Sequence, residues 1–474
     1  MKLLDKITPL EENFAKWYQD VVTKGELIAY GNAKGSMIFK PNSFGIWENI
    51  QKQMDIEIKK AGASNVYLPL LIPLSHIEKE KDHIEGFAPE LATVTKVGNK
   101  DLAEPLVIRP TSEVLFCELF QKTVHSYNDL PIIYNQWANV VRWEKTTNPF
   151  LRNREFLWQE GHTVHETAKE AEDLAKKMIN IYAQFAKEFL AIPVIMGEKT
   201  PREKFAGAHT TYTIEAMMKD GKALQAGTSH YLAQNFSKPF NIQFKNRENK
   251  KEFAFGTSWG VSTRLIGGLI MTHGDNRGVI VPPKVALHQI DILELFGQKN
   301  PNVRKEALKI YEELKKYFRV RLDDSDKGPG RKAGQSEIEG TPLRIEVGPR
   351  DLEKNMVTLV RRDNLEKIQV EISKIKEKSE DILNRIQKDL YENAKNRLNN
   401  NTVEAKTYTE MIKLIKEGKF VIVPFDGKEE DEKKIKEETL ATARCIPFNG
   451  KKESQKCIIT NKMTNRFVIF ARAY

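Results

Sequence analysis

Two arginine-bearing strings constrain this chain more than anything else in it. Val140-Val141-Arg142-Trp143-Glu144 is followed closely by Phe150-Leu151-Arg152-Asn153-Arg154-Glu155-Phe156, and roughly a hundred residues later the chain reads Gly260-Val261-Ser262-Thr263-Arg264-Leu265-Ile266-Gly267-Gly268. Together they supply three separated arginines, Arg142, Arg152 and Arg264, with the carboxylate of Glu144 and the ring of Phe156. A guanidinium is permanently charged and either forks onto phosphate or carboxylate oxygens or lies flat on a base. Such a set suits a bent nucleoside triphosphate held without a glycine-rich phosphate loop, which points to adenylate chemistry.

At 474 residues the chain is long enough for two or three domains, each with its own core. Lys plus Arg number 75 against 65 Asp plus Glu, a formal charge of +10. An excess of that sign suits a polyanionic partner; a lysine-rich proteome gives the same balance, and composition does not choose between them. Three cysteines cannot build a disulfide framework, and the odd thiol fits a reducing compartment. Met1-Lys2-Leu3-Leu4-Asp5-Lys6 reaches charged residues before any signal-like apolar stretch. No apolar run approaches the roughly 18 residues of a membrane helix. The expectation is a cytoplasmic protein without a membrane partner.

The two strings resemble motifs two and three of the class II aminoacyl-tRNA synthetases. Arg109-Pro110-Thr111-Ser112-Glu113, Asn135-Gln136-Trp137, Phe156-Leu157-Trp158-Gln159-Glu160-Gly161-His162, Gly227-Thr228-Ser229-His230 and Thr272-His273-Gly274-Asp275 extend the likeness to the prolyl-tRNA synthetases, archaeal and eukaryotic type, over the whole chain. The resemblance implies an α+β multidomain fold. It comprises an antiparallel-sheet class II catalytic domain over 1–281, an α/β anticodon-binding domain with a following long helix over 284–400, and a small α+β C-terminal domain over 401–474. It also implies ATP and Mg2+, L-proline and tRNA(Pro) as substrates and partners, and a homodimer. The reaction implied is formation of prolyl-adenylate and pyrophosphate, then transfer of proline to the 3′ end of the tRNA.

Roles carry over residue by residue. Arg142 would bridge the α-phosphate and the amino acid carboxylate; it and Arg264 are the catalytic pair. Glu144 would accept from the adenine amine, Phe156 and Arg264 would cover the two faces of the base, and Arg152 would reach the γ-phosphate. Gln225, Thr228 and Ser262 complete the nucleotide set. Thr111 and Glu113 would receive the proline NH2+ through charge-assisted hydrogen bonds. Trp158, Phe205 and His230 would line the ring pocket, with Glu160 and His162 on its polar edge. No metal ligand is assigned to a protein side chain. Ordinary core packing also accounts for Trp158 and Phe205 taken singly.

Val66 to Ile72 reads as a strand after a helix from Ile46 to Lys60, which the resemblance makes motif one, the dimer element; a buried strand beside a core helix reads the same way. Val281-Pro282-Pro283 stops regular structure and reads as a linker. Beyond it, strands over 285–293 and 343–348 alternate with a helix over 303–318, an α/β pattern. From 366 to 400, apolar residues recur at helical spacing. Glu337, Arg344 and Arg350 are candidate anticodon readers, since arginine donors and a carboxylate acceptor distinguish base edges; internal ion pairs would use them equally well. The family's C-terminal domain often binds zinc through four cysteines. Here Cys445 and Cys457 remain, Asp426 and Asp431 replace the first pair, and Ile458, Ile459 and Thr460 follow Cys457, so no structural zinc is expected. In the family the terminal tyrosine, here Tyr474, lies near the active site.

The 99 positions from Glu160 to Trp259 leave no room for the editing insertion of bacterial-type relatives, so alanine should be mischarged to a measurable degree. Threonyl, seryl, histidyl and glycyl enzymes share the ATP motifs. A silent paralogue that binds tRNA or senses amino acids is the alternative of another class, although such proteins usually lose a motif arginine. Adenylate-forming enzymes outside translation would not need the anticodon-type domain.

Overall fold

In the first arginine string the chain folds back on itself. A computed structural model describes residues 7–78, 90–451 and 453–474; the Met1–Lys6 segment lies outside them. Strands Ile132–Val141 and Glu155–His165, dense in β-branched and aromatic residues, pair antiparallel from Ile132↔Val164 to Val141↔Glu155. Arg142 and Arg154 therefore flank the mouth of one hairpin. Phe255–Ser262 pairs with the second strand, setting Ser262 opposite Trp158, Gly260 opposite Glu160 and Ser258 opposite His162. Ala223–Ala233 follows, with Thr228 opposite Gly260 and His230 opposite Ser258, and then Thr210–Met217. Successive side chains in a strand alternate faces. This register therefore gathers Trp158, Glu160, His162, Thr228, His230, Ser258 and Ser262 on one face.

Helix Ala168–Glu188 covers the other face. Thr167 and Glu170 form a capping box at its start, and Ala171, Leu174, Ala175, Met178, Ile179, Tyr182 and Phe185 make its buried stripe. Tyr182 donates its hydroxyl to Gln159 Oε1 at 2.6 Å, fixing the helix to the sheet. Motif three ends in helix Arg264–His273, whose buried glycines Gly267 and Gly268 admit Leu151 and Leu224.

The sheet does not stop at the edge of this region. Past Val194–Glu198 it continues into Ala441–Pro447, Phe467–Arg472, Phe420–Pro424 and Thr402–Glu404, so catalytic-type and C-terminal parts share 11 strands. A separate five-stranded sheet runs Val320–Asp323, Ile290–Glu294, Leu343–Val347, Met356–Arg361, Lys367–Glu371. Its first three strands are parallel and its last two antiparallel. Helices Pro301–Leu314 and Ile375–Asn400 pack on it, the latter through Ile382, Leu383, Ile386 and Leu390. Among the described residues, no helix is long and apolar enough to cross a membrane.

Four expected elements differ. The strand expected over 285–293 starts at Ile290, because the Pro282 carbonyl accepts from the N–H groups of Val285 and Ala286 and forms a turn first. The Pro282-Pro283 connection is buried and not an open spacer: Val279 and Val281 donate to the carbonyls of Ile338 and Gly340. The helix expected from 366 is preceded by edge strand Lys367–Glu371 and begins at Ile375. The strand expected over 66–72 is split into Ser64–Asn65 and Leu71–Pro73. Between them the Leu68 carbonyl accepts from Arg109 Nη1 at 2.7 Å, and its N–H goes to the Gln136 side chain instead of a ladder partner.

Buried histidines make stability depend on pH. Burial pushes His273 down to about 3, against the pull of its hydrogen bond to the Leu190 carbonyl, and pushes His165 down to about 4. Both are neutral when folded, whereas the unfolded chain titrates near 6.5. As pH falls below that value the unfolded state binds protons the folded state refuses, so stability falls. The slope is about 1.4 kcal/mol per pH unit per histidine until the folded pKa is reached. Urea melts from pH 7 to 5 should show this loss, and His165→Gln should remove part of the slope.

Candidate functional site

A cavity of about 430 Å3 opens on the polar face of the large sheet. Six residues of the expected nucleotide set line it: Arg142, Phe156, Gln225, Thr228, Ser262 and Arg264. Seven of the amino acid set do so too: Arg142 again, with Glu113, Trp158, Glu160, His162, Phe205 and His230. Thr111 lies just behind, buried, donating its hydroxyl to the Glu113 carboxylate. Glu144 and Arg152 are not in the cavity wall. They sit on the hairpin loop with Arg152 Nη1 3.7 Å from Glu144 Oε2, and Arg152 is 55% exposed.

Arg142 is held by its Nε, which donates to the Pro110 carbonyl at 3.1 Å, and its guanidinium carbon lies 5.4 Å from both the Phe156 and the Trp158 ring centroids. Burial pushes its pKa down to about 10; Glu113 opposes that and Arg264 adds to it. The charge persists at neutral pH. Arg264 opens its helix and donates Nε to the Leu151 carbonyl at 3.2 Å, so motif three is tied to the motif-two loop. Burial, with Arg152 and Arg444 nearby, lowers its pKa as well.

The other end is acidic and rigid. Gln136 Nε2 donates to Glu160 Oε1 at 2.8 Å, and His162 Nε2 lies 3.0 Å from Glu160 Oε2. The His162 ring stacks on Phe116 at 4.1 Å between centroids. His230 Nδ1 lies 2.9 Å from the Thr211 hydroxyl, which also accepts from the Phe205 N–H. Burial pushes His230 down to about 3, so it is neutral. Two carboxylates, Glu113 and Glu160, thus share one small cavity with two arginines, Arg142 and Arg264. An ammonium belongs at the first end and an anion between the arginines.

Sequence reasoning missed Glu203, Lys204, Thr211 and Ser258 in the cavity wall. Ser258 was detectable, since strand alternation two residues from Gly260 puts it on the same face; its buried hydroxyl has no hydrogen-bond partner among the described residues. Deeper still, Glu215 accepts from Lys199 Nζ at 2.8 Å and from Arg444 Nε and Nη2 at 3.0 and 2.8 Å, all three buried. Glu215 pairs in register with Gln225 of the cavity wall. Tyr474 donates its hydroxyl to Asp220 at 2.6 Å and its N–H to the Ala223 carbonyl, two residues before Gln225.

The anticodon candidates divide. Glu337 and Arg344 are buried against each other at 2.8 Å, with Arg277 Nε on the second Glu337 oxygen at 2.8 Å and Arg344 also on Glu346. Burial works against the Glu337 charge, but the two arginines outweigh it and hold its pKa below the usual range. Arg350 is exposed at the start of the short helix Pro349–Leu352. In the C-terminal part Cys457 Sγ accepts from the N–H groups of Asp426 and Thr460 at 3.5 Å each, while Cys445 packs in a different apolar cluster. Among the described residues, no group of three His, Cys, Asp or Glu side chains is placed to hold a metal ion. A magnesium ion in the cavity would therefore be held largely by phosphate oxygens, the way this ion usually binds.

The chain matches three family models: a class II tRNA synthetase core domain (G, H, P, S and T) over residues 94–273, an anticodon binding domain over 289–382, and a prolyl-tRNA synthetase C-terminal domain over 408–474. A proline–tRNA ligase of Mycoplasma mobile is 60% identical over 474 residues, covering all of both chains. One of Mycoplasmopsis pulmonis is 61% identical over 476 residues, with the same full coverage. The crystal structure of prolyl-tRNA synthetase from Cryptosporidium parvum, complexed with halofuginone and AMPPNP, superposes with a TM-score of 0.95 at 41% identity and 100% coverage of each chain. With identity of this order running from end to end, the chain belongs to the prolyl-tRNA synthetase family of class II aminoacyl-tRNA ligases.

Proposed function

We propose that this enzyme activates L-proline with ATP and transfers it to tRNA(Pro), and that the bipolar cavity carries the first step. A proline carboxylate oxygen attacks the α-phosphorus, the bond to the pyrophosphate oxygen breaks, and pyrophosphate leaves. Arg142 sits where it can hold both the carboxylate and the α-phosphate, so it lowers the repulsion between two anions and stabilises the added charge of the transition state. Glu113, oriented by the Thr111 hydroxyl, receives the ring NH2+; Trp158, Phe205 and His230 enclose the ring, and Glu160 with His162 close its polar side. Phe156 and Arg264 sandwich adenine, Glu144 accepts from its amine, and Arg152 swings from Glu144 to the γ-phosphate. Gln225, Thr228 and Ser262 line the remaining wall. Mg2+, when bound, neutralises phosphate charge.

The division of labour follows residues 1–281, 284–400 and 401–474, in a cytoplasmic setting. In this reading the exposed Arg350 contacts an anticodon base directly, whereas Glu337 and Arg344 reach one only by giving up part of their mutual pairing. Ile56, Tyr67, Leu70 and Leu71 are exposed large apolar side chains on and after the motif-one helix; a second copy burying them makes the homodimer.

The test is exchange of pyrophosphate into ATP with the purified chain, magnesium and each of the twenty amino acids, without tRNA. Exchange driven by proline, weakly by alanine and by no other amino acid is expected. A flat response from folded protein would overturn the proposal in favour of a silent paralogue.

A further inference from the structure

Arg154 does not line the cavity, yet its side chain is held at several points. Its backbone carbonyl accepts from the Arg142 N–H at 2.7 Å, and its Nε donates to the Glu144 carbonyl at 3.2 Å. Its Nη1 leaves the loop altogether and donates to the Lys34 carbonyl at 2.5 Å. The guanidinium lies over the Trp143 ring, 4.2 Å from its centroid. Gly35, at φ +81°, also packs against this side chain: a Cβ there would sit 2.9 Å from Arg154 Cδ and Nε. One planar cation thus ties three backbone segments together.

Lys34 and Gly35 belong to the turn of an N-terminal hairpin, strands Ile28–Tyr30 and Met37–Phe39. That hairpin meets the motif-two loop at two further points. Phe39 packs edge-on against Phe150 at 5.5 Å between centroids, and Tyr30 donates to Gln19, whose amide donates to Asn148 at 3.0 Å. Asn148 in turn exchanges backbone hydrogen bonds with Arg152.

We propose that Arg154 is a positioning residue for nucleotide binding, stapling the N-terminal hairpin onto the loop that presents Arg142 and Glu144. This rests on the reading that Arg142 and Glu144 hold ATP. A loop of a dozen residues pays conformational entropy each time it orders around a ligand. A staple that orders it beforehand removes that cost from binding. Arginine is required because only a planar fork donates in two directions while its face lies on a ring. At the amino acid end of the cavity only Arg142 is tied to the staple, through its backbone N–H, so proline affinity should depend on the staple less than nucleotide affinity does.

The experiment measures binding of a non-hydrolysable ATP analogue by calorimetry, and KM for ATP and proline by pyrophosphate exchange, in wild type, Arg154→Met, Arg154→Lys, Trp143→Ala and Gly35→Ala. Arg154→Met should raise the analogue Kd and the ATP KM by about tenfold or more, the scale for losing hydrogen bonds from a charged group. Its proline KM should rise less than the ATP KM, since Arg142 alone of the residues assigned to proline is tied to the staple, while Glu113, Trp158, Glu160 and His230 are not. Trp143→Ala, at a half-exposed position that leaves the core intact, and Gly35→Ala should move the same quantity in the same direction; Arg154→Lys should recover part of the loss. Unchanged analogue binding in Arg154→Met and Gly35→Ala, or equal losses for ATP and proline, would overturn the staple. Wild-type protein that exchanges or binds no nucleotide at all would instead overturn the reading on which it rests.

Discussion

Replacing Arg142 with lysine should lower proline-dependent pyrophosphate exchange by about two to three orders of magnitude, the range found when one transition-state donor is removed. Lysine keeps the charge but not the fork. It cannot retain the Nε bond to the Pro110 carbonyl while spanning a carboxylate and a phosphate. Nor can it present a planar cation to the Phe156 and Trp158 rings, whose centroids each lie 5.4 Å from the guanidinium carbon. Because the interaction is strongest when charge develops on the phosphoryl oxygens, the loss should appear in kcat and persist at saturating proline and ATP. A loss confined to the proline KM would make Arg142 a substrate anchor and move the catalytic burden to Arg264. Thermal melting, measured alongside, should show the variant folded under the assay conditions, so that the loss is kinetic.

Glu215→Gln should destabilise the protein by about 3–5 kcal/mol, the cost of leaving buried charge without its partner. Glu215 is enclosed between Lys199 and Arg444, with Thr213 donating to the same oxygen as Lys199 at 2.8 Å. Burial opposes its ionisation, yet the two cations outweigh that and hold its pKa below the usual carboxylate range. Its stabilisation is therefore complete above the unfolded carboxylate pKa and is lost only as pH falls through the lower folded value. Urea melts at neutral pH measure the loss. Adding Lys199→Met to Glu215→Gln should recover part of it, because one of the two stranded cations is gone; equal or greater instability in the double variant would show that packing, not charge, holds the cluster. Arg264 should feel the change as well, since Glu215 and Arg444 both bear on its charge.

The catalytic strings were legible because each lies on one short stretch whose side chains act locally. Arg142, Phe156 and Trp158 are separated by a hairpin, and strand alternation alone puts Trp158, Glu160 and His162 on one face. Partners that meet only through the fold were not legible. Glu215 and Arg444 are 229 positions apart, and nothing in either local sequence marks it as half of an ion pair. The edge strand Lys367–Glu371 alternates over five residues, too few to stand out beside the helical period that follows it. The same holds for Arg154, which reads as one more basic residue in a basic loop until the turn at Gly35 is seen beneath it. Glu337 and Arg344 suit base contacts and internal pairs equally well by residue type, and that they are buried against each other emerges only from the fold.

The strand Ala441–Pro447 joins Val194–Glu198 as one ladder position joins the next, with Ile446 opposite Glu198 and Pro447 opposite Gly197. A version of this protein cut at residue 400 would thus not be a smaller version of the same machine. It would carry a raw margin of backbone donors and acceptors where Val194–Glu198 is now covered, and such a margin recruits whatever strand is at hand, including its own copies. Trimmed fragments should precipitate where the full chain stays dispersed, and the C-terminal part acts as the hem of the sheet, whatever else it contributes.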